Sequence, residues 1–111
     1  MTAPEVDASE GRALVEGGAL LLDVREPNEW AAGHAPGATF VPLGAVPAHV
    51  DDLPRDRRIV AICRSGARSG RATEFLVAQG LDAVNLAGGM KAWAQAGYPV
   101  ETDDGSPGTV A

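Results

Sequence analysis

Short apolar runs that alternate with helix-patterned stretches constrain this chain more than any other feature of it. Arg58-Ile59-Val60-Ala61-Ile62 is continuous and β-branched, the pattern of a strand buried on both faces of a parallel sheet. Ala19-Leu20-Leu21-Leu22-Asp23 reads as a second buried strand, and Ala38-Thr39-Phe40-Val41 as a third that Pro42 stops. Asp82 to Leu86 is a short fourth, and residues near Val6 supply an edge strand. Helical patterns fill the gaps. Ser9 is placed to cap a helix running to about Glu16, closed by Gly17-Gly18. Pro27 suits the first position of a short helix through Trp30 and Ala32, with Gly33 at its end. Arg68 to Gln79 puts Ala72, Phe75 and Leu76 on one face and stops at Gly80. Met90, Trp93 and Ala94 share the face of a last helix, ended by Gly97 and Pro99. Strands alternating with helices predict an α/β domain with a mostly parallel sheet; strand order does not follow from the pattern.

The 111 residues suffice for one domain, and 45% hydrophobic residues suffice for its core. We place the domain at residues 1–101. The Asp-, Gly-, Ser-, Thr- and Pro-rich segment 102–111 reads as a flexible tail. The net charge of −6 repels nucleic acid and anionic membrane, so an anionic ligand needs a local basic site. One cysteine excludes an internal disulfide and suits a reducing compartment. Met1 to Glu10 shows no leader pattern, and the apolar stretch Gly17 to Leu22 is too short to span a bilayer. A cytoplasmic location is the expectation.

The chemistry concentrates in Cys63-Arg64-Ser65-Gly66-Ala67-Arg68-Ser69, a short polar loop between the clearest strand and the best helix. Ligands of open α/β sheets bind at the carboxyl ends of strands, and Cys63 stands at one. A tight loop feeding a helix turns successive N–H groups inward, and the helix dipole adds to their field. Arg64 and Arg68 bring two charges. Such surroundings favour thiolate over thiol, and the thiolate is the nucleophile. A lone cysteine is more often a buried core residue, but a core cysteine has no use for adjacent arginines.

Three segments together resemble the rhodanese-like sulfurtransferases, over about Val6 to Tyr98. The first runs Leu21-Leu22-Asp23-Val24-Arg25-Glu26-Pro27-Asn28-Glu29-Trp30 and on through Gly33-His34-Ala35-Pro36-Gly37-Ala38. The second is the Cys63 to Ser69 loop, and the third is Leu86-Ala87-Gly88-Gly89-Met90-Lys91-Ala92-Trp93. The resemblance implies a central, mostly parallel sheet with helices on both faces. It also implies a ping-pong reaction: Cys63 takes sulfane sulfur from a donor such as thiosulfate and passes it to cyanide or a thiol. Arg64 and Arg68 would recognise an anionic donor, and the amides of Arg64, Ser65, Gly66, Ala67, Arg68 and Ser69 would solvate the persulfide. Mercaptopyruvate-using relatives usually carry Gly and Thr where this loop has its arginines, which favours thiosulfate. A protein thiol such as thioredoxin is a further candidate acceptor. No cofactor is implied.

Two other classes compete. Cysteine-dependent phosphatases and arsenate reductases place their arginine six positions after the cysteine, where this chain has Ser69; its arginine comes five positions on. That loop is one residue tighter and suits a single sulfur better than a phosphate. Non-catalytic rhodanese modules that only bind partners commonly lack the cysteine that this chain keeps.

Several other residues invite functional readings and receive structural ones. Arg25 is expected to pair with Glu29, and Asp23 to cap or brace its loop. His34 lies in a turn, and a thiolate nucleophile needs no base. Trp30 and Trp93 are expected to fill the core, Arg71 to be an exposed helix arginine, and Gly88-Gly89 to form a strand-to-helix turn. His49, His34, Cys63 and the scattered carboxylates show no metal-ligand spacing.

Overall fold

The computed structural model describes residues 3–111; Met1 and Thr2, part of the N-terminal segment read above as leaderless, lie outside the described residues. Five strands form one sheet: β1 (Glu5–Val6), β2 (Leu20–Asp23), β3 (Thr39–Phe40), β4 (Ile59–Ile62) and β5 (Ala83–Leu86). Every pairing is parallel, in the order β1-β5-β4-β2-β3. The helices are α1 (Ala8–Glu16), α2 (Pro27–Ala32), α3 (Val46–His49), α4 (Ala67–Ala78) and α5 (Gly89–Gln95). The expected elements are present with ends shifted by a residue or two. One cap differs: Asp7 accepts the Glu10 N–H at 2.8 Å, and Ser9 lies inside α1. Asp7 takes the role because its backbone is still extended while Ser9 is already helical.

Alternation along the strands divides the core in two. Leu22, Ile59, Cys63 and Ala83 face one side, where Ala72 and Leu76 of α4 and Val46 of α3 pack. Leu21, Val60, Ile62, Val84 and Leu86 face the other, where Met90 and Trp93 of α5 and Ala8 of α1 pack. The helices therefore cover both faces, which is why β4 and β5 are buried at every position. Burying either set of side chains against its helices supplies the main stabilisation, at roughly 1.5–3 kcal/mol for each large side chain.

The strand order places the functional end. From β2 the chain steps outward to β3, then returns across β2 to β4 and continues to β5. Adjacent strands β2 and β4 thus send their connections in opposite directions, which opens a crevice at their carboxyl ends. Asp23 pairs with Ile62 there, so the turns into α2 and α4 face one another.

Residues 101–111 lie against this domain. Glu101 bridges to both His34 and Pro107, and the Thr109 N–H donates to Ala32 O at 2.9 Å. Gly33 and Gly108 permit the approach: a Cβ on Gly33 would come within 2.6 Å of Thr109 backbone atoms. No helix among the described residues is long and apolar enough to cross a membrane.

Candidate functional site

Cys63 directly follows β4 and is 1% exposed, so its sulfur lies at the floor of the loop it opens. Gly66 makes the loop possible. It caps α4 at φ 108°, a left-handed conformation that a side chain would resist. The turn aims the Gly66 N–H at Cys63 Sγ, 3.1 Å away. One turn into α4, the Ser69 hydroxyl lies 3.3 Å from the same sulfur. Burial pushes the Cys63 thiol up, but the Ser69 hydroxyl and the amides of Ser69, Gly66 and Ser65 outweigh it, and the net shift is downward.

A second turn buttresses the loop from outside. Gly88 and Gly89 both take positive φ, and the Met90 and Lys91 amides of α5 donate to the carbonyls of Cys63 (2.7 Å) and Arg64 (3.0 Å). A Cβ on Gly89 would collide with the Cys63 carbonyl oxygen. The Gly-Gly pair is thus the strand-to-helix turn expected from the sequence, and it anchors the cysteine's own backbone.

The arginines are not disposed as expected. Arg68 does not stand free beside the sulfur; it forms a two-pronged pair with Glu29 of α2, at 2.6 and 2.8 Å. Its charge still reaches the thiolate, one of the weaker influences that hold the guanidinium protonated. The stronger fields at Cys63 come from dipoles close at hand. Arg64 is exposed and donates through Nε to the Ala111 carbonyl at 3.0 Å. Ser65, exposed, and Ala67, the first residue of α4, complete the loop. Arg71 is exposed, as expected.

The Arg25–Glu29 pair expected from the sequence does not form. Arg25 is fully buried and binds Asp23 through Nε and Nη2 at 2.8–3.1 Å, and it donates to Gly33 O at 2.8 Å. Glu29 is left for Arg68, and that contact draws its carboxyl from 4.5 to about 2 against the opposing effect of burial. His34 Nδ1 contacts the Trp30 carbonyl at 2.8 Å, and the two rings stack at 3.6 Å, so His34 braces the end of α2. Trp93 is core, with its indole N–H on Pro99 O. Trp30 is only partly buried, stacked between His34 and Phe40.

Sequence reasoning missed Asn85. It is 1% exposed on β5 and faces α4 by the alternation that sends Ala83 that way. Its Oδ1 lies 2.6 Å from Ser69 Oγ, and its Nδ2 donates to Gly66 O and to Glu5 Oε2. A polar residue inside a buried four-residue strand was the available signal. Among the described residues no three His, Cys, Asp or Glu side chains group as a metal site requires.

A parallel α/β domain whose lone cysteine opens the strand-to-helix loop at the switch point defines a class, the cysteine-loop α/β proteins. Within it the chain belongs to the rhodanese-like domain family, whose model matches residues 7–96. It is 44% identical to a sulfurtransferase of Allochromatium vinosum, over 78% of this chain and 81% of that one. It is 31% identical to the thiosulfate sulfurtransferase GlpE of Pseudomonas fluorescens, over 92% and 94% of the two chains. The crystal structure of a rhodanese-related protein from Thermoplasma volcanium superposes with a TM-score of 0.82 at 33% identity, covering 87% of this chain and 96% of that one. The chain is therefore a member of a sulfurtransferase family.

Proposed function

We propose that this protein is a thiosulfate-type sulfurtransferase in which Cys63 carries sulfane sulfur as a persulfide. The observation that carries the reading is the convergence of the Gly66 N–H and the Ser69 hydroxyl on Cys63 Sγ at 3.1 and 3.3 Å. Hydrogen bonds to the charged form favour thiolate, which is the attacking species.

In the first half-reaction the Cys63 thiolate attacks the outer sulfur of thiosulfate. The new Sγ–S bond forms as the donor's S–S bond breaks, and sulfite leaves with that electron pair. The charge then sits on the outer sulfur, where amides of the Arg64 to Ser69 loop solvate it. In the second half-reaction cyanide or a thiolate attacks that outer sulfur, the Sγ–S bond breaks, and the Cys63 thiolate returns. No external oxidant or reductant is needed. Arg64 and Arg68 draw the anionic donor into an otherwise acidic molecule. A small thiol or a protein thiol of the thioredoxin kind serves as acceptor, and the lone free thiol suits a reducing, cytoplasmic setting.

The test is mass spectrometry of the protein after incubation with thiosulfate alone. The expected result is the mass of one added sulfur on wild type, absent from Cys63→Ser, and loss of thiosulfate:cyanide turnover in that variant. No adduct on wild type, or an active Cys63→Ser protein, overturns the reading. Arg68→Ala is expected to raise the apparent KM for thiosulfate more than that for an uncharged donor; equal effects remove Arg68 from donor recognition.

A further inference from the structure

We propose that Asn85 is a positioning residue for Cys63: through Ser69 it competes with the sulfur for one hydroxyl proton, and so sets how firmly the sulfur is held in each form. This rests on Cys63 being the sulfur carrier.

The orientation of the Asn85 amide is fixed by its neighbours. Its nitrogen lies 2.9 Å from a carboxylate oxygen of Glu5 and 3.0 Å from the Gly66 carbonyl, both acceptors. Turning the amide over would set oxygen against oxygen at both contacts, so Oδ1 must be the atom facing Ser69 at 2.6 Å. Ser69 Oγ carries a single proton and faces two close competitors for it, Asn85 Oδ1 and Cys63 Sγ; the Gly66 carbonyl, at 3.4 Å, is the longest of its three contacts and already accepts from Asn85 Nδ2. Both Ser69 and Asn85 are buried, so water does not relieve the contest.

The hydrogen-bond inventory then differs between states. With Cys63 as a thiol, S–H donates to Ser69 Oγ and the hydroxyl donates to Asn85, and every group is satisfied. With Cys63 as a thiolate, the hydroxyl turns to the sulfur and Asn85 Oδ1 is left facing an oxygen that offers no proton. With the persulfide, the charge has moved to the outer sulfur, Sγ is a weak acceptor, and the hydroxyl returns to Asn85. The amide therefore penalises charge on Sγ and rewards its departure to the added sulfur. A thiolate held less tightly is the better nucleophile. Other charges around the sulfur are Arg64 on the loop, Arg68 on α4 with its partner Glu29 on α2, and Glu5 on β1 beyond the amide. The variants leave these charges in place; Asn85→Leu also takes the amide donor from Glu5 and from the Gly66 carbonyl, an effect common to both backgrounds compared below.

The experiment is the pH dependence of alkylation of Cys63 by iodoacetamide in the full chain. Asn85→Leu removes the rival acceptor, and the thiolate fraction on the acid side of the midpoint is expected to rise about threefold. Ser69→Ala removes the donor and moves the midpoint up. In Ser69→Ala the further change Asn85→Leu is expected to move nothing, because the competition has no proton left. An equal shift in both backgrounds marks Asn85 as merely structural and overturns the proposal, as does no shift or an upward shift from Asn85→Leu alone. In the wild-type protein, which avoids any folding defect of the variant, the side-chain amide resonances of Asn85 are expected to titrate with the Cys63 midpoint. Resonances that ignore that midpoint overturn the proposal too. The pH midpoint of alkylation reports ionisation and needs no sulfur donor, so a failure of thiosulfate to load Cys63 would count against the donor reading and leave this test intact.

Discussion

The two strand ends at the switch point both hold anions, by opposite means. Past β2, the Asp23 carboxylate is met by the Arg25 guanidinium, and neither side chain has any exposure. Glu29, at the start of α2, is met in the same way by Arg68. Past β4, the Cys63 sulfur is met by an amide and a hydroxyl, while the Arg68 guanidinium is already committed to Glu29. A counter-ion pair pins charge in place, since moving either partner strands the other in low dielectric. Dipoles solvate a charge without needing to be abandoned when it moves, which is what the proposed transfer of sulfur to Cys63 requires. The carboxylates in this crevice are held by counter-ions, and the sulfur is held by dipoles, as a charge that moved in the proposed reaction would need.

The contrast is tested most severely at Arg25. Arg25→Met keeps the length of the stem and leaves Asp23 buried with no counter-charge. Urea unfolding is expected to show a loss of about 3–5 kcal/mol, as removal of one partner from a buried pair does. Cys63→Ser, which removes no counter-ion, is expected to cost no more than about 1 kcal/mol in the same assay. Similar losses from the two variants would erase the distinction between pinned and mobile charge.

A smaller effect is expected from acid. Glu29 has a carboxyl lowered from 4.5 to about 2, first by the Arg68 hydrogen bond and against the pull of burial. A lowered carboxylate stabilises the fold above its unfolded value and loses that contribution as pH falls through the folded one. The pair is therefore expected to contribute about 2 kcal/mol above pH ~5, lost progressively between pH ~4.5 and ~2. Stability measured across this window in Arg68→Met should lack the decline. A decline of the same size in both proteins would assign it to other carboxylates.

How far the sequence discloses this arrangement depends on how local each feature is. The β4 strand, the Cys63 turn and α4 are legible because a continuous apolar run, a polar break and Gly66 are consecutive in the chain. Strand order is not, since it is decided by which apolar faces meet across the sheet. The pairing of arginines went wrong for the same reason. Arg25 and Glu29 are near in sequence and lie in one turn, but Asp23 lies closer to Arg25 on the buried side, and the partner of Glu29 comes 39 residues later. Asn85 was missed because its role needs β5 beside β4 and α4 over both. The Ser69 side chain was missed because the loop was read for its amides alone.

The smallest expected effect sharpens the comparison most, because it turns a pinned charge into a free one beside the loop. In Glu29→Gln the two-pronged pair loses its anion while a neutral side chain of the same length still spans to Arg68 and to the Glu26 N–H. Arg68 then presents an uncompensated positive charge toward the crevice. If Arg68 recognises the donor, a dianion such as thiosulfate gains attraction, and its apparent KM is expected to fall about threefold at low ionic strength, with the gain fading as salt screens it. The KM for an uncharged donor and the alkylation midpoint of Cys63 should move little, because amides and the Ser69 hydroxyl dominate the field at the sulfur. A KM that rises for both donors would instead mean that the ion pair holds the loop in shape, and the charge of Arg68 would then belong with that of Arg25, to the scaffold.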